Sequence, residues 1–368
     1  MIISIGVLAW NEEECIATAL QSLLDQTLTR ELADHAEDRI DVVVVPNGCS
    51  DRTDERAAET LRNGAASLPP DRFTWRVESL REPGKVNAWN QFVHRFSNPA
   101  ADFIFLMDAD IRFTHPDTLK NMLRSLKQTA LAEAATDLPQ KHILFKPRKT
   151  IFDRISLAIG QITQTAPAQL TGQLYCARGP LLRRIHMPLG LMVEDGFLKH
   201  MICTNLFTQP PDNRRIIRAP NASHVFEAYF RIQDIFNNQR RQQIGHCIYT
   251  YLRDCLKSAS GKKDAGELIA ENNARDPDWF RKVIRERVQQ GGWWVIYPGA
   301  FSGRFKRLRN LSPGQAVLRF PVAVVAFLMD AIVLLAANHR LRSGQLAGVW
   351  KDTKSAVLSQ TTTPDLKR

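Results

Sequence analysis

The sequence predicts an α/β fold, in which a mostly parallel sheet is flanked by helices and followed by a helical C-terminal extension. Short apolar runs that are typical of buried strands alternate with segments of helical periodicity. Polar, turn-forming segments follow the runs, and residues 226–256 are helical in pattern. Alternating strands and helices favour parallel pairing, which brings the polar ends of the strands to one ligand-binding edge.

Two strand-and-helix units open the chain. The run Ile2–Ala9 predicts the first strand, and isoleucine and leucine residues then recur at helical spacing between residues 16 and 24. Four valines at residues 42–45 predict the second strand. It ends in the turn-forming residues 46–53, which can cap the next helix.

A third apolar run, residues 103–107, ends in Asp108 and Asp110. Because side chains alternate along a strand, the two carboxylates should project to the same side at the carboxyl end of this strand. Paired carboxylates suit a hard divalent cation, and such a cation usually also holds a diphosphate. The alternative is that one of the two aspartates lies near the N-cap of the next helix.

The segments that follow are less regular. Residues 143–145 predict a short strand, and residues 171–178 predict another. Between them, the spacing of Ile155, Ile159 and Ile162 predicts a helix.

Over roughly residues 1–245, the motifs and their order resemble a family 2 glycosyltransferase with the GT-A fold. Five segments carry this resemblance, which makes it more specific than any one of them. They are Asn11-Glu12-Glu13, Asn47-Gly48-Cys49-Ser50-Asp51-Arg52-Thr53, Gly84-Lys85-Val86-Asn87-Ala88-Trp89-Asn90, Asp108-Ala109-Asp110 and Leu191-Met192-Val193-Glu194-Asp195-Gly196-Phe197-Leu198. Asn47 departs from the family, which often has an aspartate beside the nucleotide base at this position.

The resemblance implies a GT-A type, Rossmann-like, mixed and mostly parallel sheet. It also implies an inverting enzyme that moves a sugar from a nucleotide-sugar donor to an acceptor hydroxyl. Asp195 is then the general base, and Asp108 and Asp110 form the site of a divalent cation, Mn²⁺ or Mg²⁺. The residues expected to contact the donor are Asn11, Glu13, Asn47, Lys85, Asp108, Arg240 and Arg241.

Physical roles can be argued for these residues, and each also has a structural alternative. A neutral hydroxyl needs a carboxylate to take its proton, and the departing diphosphate needs positive charge. Glu194-Asp195 could instead begin a surface helix, and Lys85 could be a solvated loop lysine. Arg240 and Arg241 lie in a segment similar to the family's Gln-x-x-Arg-Trp motif, but glutamines stand where arginine and tryptophan would be. They could also form a solvated basic helix face.

The chain divides by pattern into a catalytic domain at residues 1–225, a helical extension at 226–310 and a C-terminal segment at 311–368. The last contains an apolar stretch, residues 320–337, flanked by basic residues. Asp330 inside this stretch argues against a membrane span, so we expect a helix that lies in a membrane interface or docks on the protein. Anionic headgroups would suit its basic flanks, and a buried core helix is the alternative.

Composition fits an enzyme of the cytoplasm, either free or peripheral on the cytoplasmic face of a membrane. The six cysteines are scattered, which indicates reduced thiols, and the N-terminal run reads as a strand rather than a signal peptide. The net charge of +11 admits nucleic-acid binding, but no recognition motif supports it. A nucleotidyltransferase is the other alternative. We expect a glycan or a lipid-linked glycan as the acceptor.

Overall fold

The protein folds as a mixed, mostly parallel sheet with helices on both faces, which confirms the predicted fold class. The description rests on a computed structural model. The described residues are 1–34, 37–150, 153–154, 156–157, 169–228, 232–259, 263–297, 300 and 313–344.

The strands of the described residues form one sheet. They are β1 (Ile2–Ala9), β2 (Arg39–Pro46), β3 (Phe73–Val77), β4 (Phe103–Asp108), β5 (Arg112–Phe113), β6 (Ala134–Lys141), β7 (Leu174–Arg178) and β8 (Ile216–Phe226). Their order in the sheet is β3-β2-β1-β4-β7-β6-β8-β5. The pairs β2–β3, β1–β2, β1–β4 and β6–β8 are parallel, and β4–β7, β6–β7 and β5–β8 are antiparallel. Hence β1, β2, β4, β6 and β8 all end at the same edge, which we call the carboxyl edge.

Helices cover both faces and continue beyond the sheet. They are α1 (Ile16–Leu24), α2 (Thr27–Arg30), α3 (Thr53–Gly64), α4 (Lys85–Gln91), α5 (Thr118–Gln128), α6 (Gly179–Leu182), α7 (Glu194–Cys203), α8 (Ile232–Ala259), α9 (Ala265–Arg275), α10 (Trp279–Gln290) and α11 (Pro313–Arg342).

Alternate side chains of the central strands pack into two apolar layers, one on each face of the sheet. In β2, Val42 and Val44 join the layer that contains α1, α3 and α5, whereas Val43 and Val45 join the layer beneath α4 and α7. All four valines are buried, as expected for a parallel strand that is covered on both faces. This two-sided burial explains why the run of valines was a clear strand signal.

The second layer continues without a break into the C-terminal helices. Ile244 and Ile248 of α8, Phe280 of α10, and Leu334 and Ala337 of α11 belong to the same buried cluster as the sheet residues. The interpretation of α11 as a docked helix therefore fits one of its faces. Within the described part of the chain, no helix combines the length and apolarity that crossing a membrane requires. The domain boundaries at residues 225 and 310 stay predictions.

Two sequence expectations differ from the structure. Residues 143–145 are not a strand: they belong to a 3-10 turn, His142–Phe145, because β6 already ends at Lys141 and the buried His142 ring accepts a hydrogen bond from the backbone N–H of Ala228 at 3.1 Å. The strand expected from residue 171 begins at Leu174. The helix expected from Ile155, Ile159 and Ile162 lies outside the described residues.

At Gly245, α8 packs tightly against Val193, the residue before α7. A Cβ atom at this position would lie 2.1 Å from Cγ2 of Val193, far inside contact distance. We expect Gly245→Ala to lower the free energy of unfolding by about 1–3 kcal/mol, the usual cost of overpacking. Chemical denaturation measures this.

Gly196→Ala is the matched control, since a Cβ there would meet nothing within 4 Å and lies inside a helix. It should be neutral or stabilising by up to about 1 kcal/mol, because alanine favours the helix. Equal destabilisation by both variants would contradict the packing argument.

Candidate active site

The motifs that are separate in the sequence meet at the carboxyl edge. Strand β1 pairs in parallel with β2 on one side and β4 on the other, so their ends at Ala9, Pro46 and Asp108 are neighbours. The loops after these strands, together with the starts of α4 and α7, surround one site. The structure thus brings together the segments on which the functional prediction depends.

Asn11 and Glu13 tie the loops after β1 and β2 to each other. Asn11 has a left-handed backbone, with φ of 55°, and its Oδ1 accepts the backbone N–H of Ser50 at 2.8 Å. Glu13 donates its backbone N–H to Asp51 Oδ2 at 3.1 Å and accepts the N–H of Arg52 at 3.3 Å. These bonds fix the shape of the site's rim, and donor contact by Asn11 and Glu13 stays a prediction.

Asn47 is buried and connects three segments. Its Nδ2 donates to the carbonyl oxygen of Ala9 at 2.6 Å, and its Oδ1 accepts the backbone N–H of Gly84 at 2.9 Å. Gly84 immediately precedes Lys85 at the start of α4. The amide, which can both donate and accept, therefore holds the first turn of α4 against the end of β1. An aspartate could accept from Gly84 but could not donate to Ala9 while ionised.

Lys85 lies at the centre of the site. Its ammonium group is 2.6 Å from Asp108 Oδ1 and 3.1 Å from Glu194 Oε1, and it donates to the carbonyl oxygen of Gly172 at 3.0 Å. The side chain is only 9% exposed. The alternative of a solvated loop lysine is wrong. The expected position near the donor phosphates stays a prediction, but here the ammonium is occupied by two carboxylates.

The charges around Lys85 stabilise one another. Burial alone would lower the pKa of Lys85, but the attraction of Asp108 and Glu194 outweighs it and raises the pKa. Burial raises the pKa of Asp108 to about 7, with Lys85 opposing the rise and Asp110 adding to it. Burial also acts to raise the pKa of Glu194, but Lys85 prevails and lowers it. The lysine therefore stays charged and holds carboxylates from two distant motifs.

Asp110 lies in the turn that follows β4. Because β4 ends at Asp108 and Asp110 occupies the following turn, strand alternation does not describe this pair. The aspartates are nevertheless close enough for Asp110 to raise the pKa of Asp108. Burial and then the charges of Asp110 and Asp108 also raise the pKa of Glu12 to about 9. Glu12 is thus protonated at neutral pH and lessens the repulsion in this cluster.

Asp195 occupies the first turn of α7, next to Glu194. The helix-start interpretation of this pair is therefore correct, and it does not exclude a role in the site. Asp195 lines a small cavity that it shares with Lys85 and Asp108, and it also lines a cleft of about 600 Å³. Burial, followed by the charge of Glu194, raises the pKa of Asp195.

The cleft beside Asp195 has aromatic and amide walls. Gln243, His246 and Tyr249 of α8 line it together with Tyr297. The rings of His246 and Tyr297 meet edge to face with centroids 4.5 Å apart. Burial lowers the pKa of His246, and the charge of Arg253 adds to this, so the imidazole is neutral at physiological pH. The cleft therefore offers hydrogen-bonding groups and ring faces.

The two arginines of α8 have different surroundings. Arg241 is close enough to Glu194 and Asp195 to lower the pKa of both carboxyl groups. Arg240 instead donates to Asn237 at 3.0 Å and stacks over a phenylalanine ring of its own helix. Its pKa is lowered by burial and then by the charge of Arg340. Of the expected pair, the structure thus brings Arg241 towards the site.

Several residues of the site were missed in the sequence. Glu12 and Glu194 lie within the sequence motifs, but the motifs predict no role for either residue. The carbonyl oxygen of Gly172 accepts from Lys85, a backbone contact that no side-chain pattern signals. Glu227 follows β8, and its charge helps to raise the pKa of Glu12. Nothing in the sequence around Glu227 could have linked it to residues near the N-terminus.

Comparison with known families agrees with this arrangement. Residues 4–176 match the sequence model of glycosyl transferase family 2. The matched residues include Asn11, Asn47, Lys85 and Asp108, and the protein is a glycosyltransferase that uses a nucleotide-sugar donor. The alternatives of a nucleotidyltransferase and a nucleic-acid-binding protein receive no support. No curated protein matches the chain.

The chain is also similar to solved structures, three of which are the following. The mannosyltransferase PcManGT from Pyrobaculum calidifontis, in complex with GDP-Man and Mn²⁺, is 17% identical, with 95% of this chain and 87% of that chain covered and a TM-score of 0.49. Glucosyl-3-phosphoglycerate synthase from Mycobacterium tuberculosis, in complex with Mn²⁺, UDP and phosphoglyceric acid, is 18% identical, with coverages of 67% and 76% and a TM-score of 0.44. S. aureus TarS 1-349 is 15% identical, with coverages of 94% and 92% and a TM-score of 0.44.

The carboxylates at the end of β4 fit a divalent cation that is shared with a substrate. In the part of the chain that the structure describes, no three Asp, Glu, His or Cys side chains are placed to hold a metal ion. Mg²⁺, however, commonly takes only one or two carboxylates from a protein, since phosphates and water complete its shell. Asp108 contacts the Lys85 ammonium with both oxygens, Oδ1 at 2.6 Å and Oδ2 at 2.9 Å, so a cation at this carboxylate would lie next to the lysine. The pKa of Glu12 is raised first by burial and then by the charges of Asp110 and Asp108, and a cation at these carboxylates would relieve the second effect.

Replacing Lys85 tests its central position. Lys85→Met leaves Asp108 and Glu194 buried without their cation, and we expect the free energy of unfolding to fall by about 3–5 kcal/mol at neutral pH. In the wild type, Lys85 lowers the pKa of Glu194, so the stability from this pair is present above the ordinary pKa of glutamate and is lost as the pH falls through the lowered value. The difference between variant and wild type should therefore shrink in acid, as measured by denaturation across pH.

Lys120→Met is the matched control. Lys120 also pairs with a carboxylate, Glu31, but both side chains are about two-fifths exposed. Its loss should cost no more than about 1 kcal/mol. A similar cost for both variants would show that the ion pairs of Lys85 do not organise the fold.

Proposed function

We propose that the enzyme inverts the anomeric centre in a single displacement, with Asp195 as the general base. The observation that supports this most is that Asp195 lines two spaces. One is the small cavity next to Asp108 and Lys85, and the other is the 600 Å³ cleft. A base must contact the acceptor and lie close to the donor, because it takes the proton of the acceptor hydroxyl while that hydroxyl attacks the donor.

The reaction on these residues is a displacement at carbon. Asp195 takes the proton of the acceptor hydroxyl while the hydroxyl oxygen forms a bond to the anomeric carbon. The bond from this carbon to the diphosphate oxygen breaks, and its electron pair leaves with the nucleoside diphosphate. The proton then passes from Asp195 to solvent. Because attack and departure occur on opposite faces, the configuration inverts.

Positive charge near the diphosphate would come from two sources. Arg241 lies near Glu194 and Asp195, and its planar guanidinium suits phosphate oxygens. A divalent cation held by Asp110 and Asp108 would supply further charge to the departing diphosphate when it is bound. Asn11, Glu13 and Asn47 shape the loops against which the nucleotide would lie.

We propose a glycan, or a glycan linked to a lipid, as the acceptor. The cleft beside Asp195 offers amide groups at Gln242 and Gln243, together with the rings of Tyr249 and Tyr297. Amides bond well to sugar hydroxyls, and aromatic faces stack on the apolar faces of sugar rings. The lining contains one lysine, Lys199, so the cleft as a whole is not built for a highly anionic acceptor.

Asp195→Asn tests the base. It keeps the size of the side chain and removes the proton acceptor, so we expect transfer to fall roughly a hundredfold or more. The donor is first chosen by screening UDP- and GDP-sugars for slow hydrolysis without acceptor. Affinity for that donor should be nearly unchanged, and the product should have the inverted configuration by NMR. Full activity or a collapse of donor binding would reject the role.

The pH dependence distinguishes Asp195 from other groups. Burial and the charge of Glu194 raise the pKa of Asp195, and the charges of Lys85 and Arg241 oppose this rise. Since the base must be ionised, the rate should rise as the pH passes this raised pKa. Glu194→Gln removes the repulsion and leaves the charge of Lys85, so the pKa of Asp195 should fall and the acid limb of the rate profile should move to lower pH. An unmoved limb would point to another base.

Asp110→Ala tests the cation site. In the wild type, we expect Mn²⁺ together with UDP or GDP to raise the melting temperature more than either does alone, because the diphosphate and the carboxylates share the ion. Asp110→Ala should lose this synergy while keeping its far-UV circular dichroism. The control Asp71→Ala removes an aspartate whose side chain is 77% exposed, and should keep the synergy. Wild-type activity in excess chelator would also reject the site.

We further propose that the enzyme is peripheral on the cytoplasmic face of a membrane through α11. Leu328, Ile332 and Leu335 share one side of this helix, at 50–57% exposure, whereas Val333 and Leu334 are buried against the protein. The last turn of the helix is basic. An exposed apolar side next to cations suits the interface of an anionic bilayer. The six cysteines are free thiols, as expected in a reducing compartment.

Polar substitution on the exposed side of α11 tests this proposal. Leu328→Ser/Ile332→Ser/Leu335→Ser should lower binding to phosphatidylglycerol-containing vesicles at least tenfold, because the apolar contact is lost. High salt should partly release the wild type by screening the headgroups. Leu131→Ser, at a 42% exposed leucine between α5 and β6, is the control and should bind normally. If the wild type, the triple serine variant and Leu131→Ser all sediment equally with the vesicles, α11 has only a structural role.

A further inference from the structure

A basic loop with two exposed apolar side chains follows β6. Residues 141–150 contain four Lys or Arg residues and no Asp or Glu. Between the basic residues, Leu144 is 43% exposed and Phe145 is 45% exposed. We call residues 142–149 the basic loop. Large apolar side chains that stay exposed beside cations are the kind of surface that a partner covers.

The basic loop is held in place by its own hydrogen bonds. The buried ring of His142 accepts the N–H of Ala228 at 3.1 Å, and Lys149 donates to the carbonyl oxygen of Lys146 at 3.1 Å. Just beyond the loop, Thr150 and Asp153 exchange hydrogen bonds between backbone and side chain. Leu144 and Phe145 are therefore presented outward by an ordered turn, and their exposure follows from its geometry.

The basic loop stands at the same edge as the active site. It follows β6, which ends at the carboxyl edge like β1 and β4. His142 bonds to Ala228, and the preceding residue, Glu227, acts electrostatically on Glu12 in the site. Leu131, by contrast, precedes β6 and lies at the opposite edge. The exposed pair and the candidate site thus face the same side of the molecule.

We propose that the basic loop binds an anionic phospholipid surface, with Leu144 and Phe145 entering the boundary between headgroups and acyl chains. This rests on the proposed function, because it gives the lipid-linked acceptor a reason to meet this edge. Arg148 and Lys149 then face lipid phosphates. Two apolar side chains are too few for the core of a stable protein interface, which buries roughly 1,200–2,000 Å² in total. Shallow insertion needs no more than this.

The consequence for catalysis is geometric. With the basic loop on the bilayer, the carboxyl edge faces the membrane surface, and an acceptor whose lipid stays in the bilayer can present its hydroxyl to Asp195. The loop makes a contact separate from that of α11, since it follows β6 and belongs to the catalytic domain.

Vesicle sedimentation tests the proposal on the full chain. The vesicles are phosphatidylcholine, with and without phosphatidylglycerol. Leu144→Ser/Phe145→Ser should lower the partition coefficient on anionic vesicles by about tenfold. Arg148→Gln/Lys149→Gln should lower binding to anionic vesicles only, by roughly fivefold or more, and should weaken its dependence on salt. Leu131→Ser, equal in exposure but at the other edge, should stay within about twofold of the wild type.

Three outcomes would overturn the proposal. One is equal partitioning of the wild type and Leu144→Ser/Phe145→Ser, with matched melting temperatures. Another is equal binding of the wild type to neutral and anionic vesicles. The third is a dimer of the wild type that Leu144→Ser/Phe145→Ser converts to a monomer, which would show that a second copy covers the loop.

Donor hydrolysis without vesicles separates this proposal from the proposed function. If the loop variants change neither donor hydrolysis nor vesicle binding, the membrane contact of the basic loop is rejected and the proposed function stands. If the loop variants lose vesicle binding but the wild type hydrolyses no donor, the membrane contact of the basic loop is supported and the proposed function is rejected.

Discussion

The active site is organised by a cation that has been taken out of water. Lys85 joins α4, the strand end at Asp108, the carbonyl of Gly172 and the first turn of α7, which are far apart in the chain. An ammonium in such surroundings is stable only while its carboxylates are in place, and they are stable only while it is. The end of β4 and the first turn of α7 are therefore one electrostatic unit.

Much of the fold could be predicted because its central strands follow strong local rules. Val42 to Val45 are buried on both faces, so every residue had to be apolar. Strands β6 and β8 gave no such signal: each contains a proline, and β8 shifts register against β6 near Thr136 and adopts a left-handed backbone at Asn221. Their pairing is set by residues about 80 positions apart, and no local pattern records it.

The site was predictable in its members but not in its contacts. Asn11, Asn47 and Asp108 lie at or just after the ends of strands that run parallel and end at one edge. Asp195 follows an antiparallel strand and a helix, and only the resemblance of the motifs predicted its place beside them. The structure adds that Asn11 and Asn47 hydrogen-bond to neighbouring loops. Whether a side chain faces a ligand or its own backbone depends on distances of a few ångströms, which spacing along a sequence does not fix.

The apolar layer beneath α4 runs unbroken through α8 and α10 to α11. Among the described residues, the sheet and the C-terminal helices bury apolar surface against each other, so the loss of either part would expose the apolar surface of the other. We therefore expect heat to unfold both parts together. Because α8 also lines the cleft beside Asp195, damage to the distant helix α11 would then shorten the lifetime of the active site.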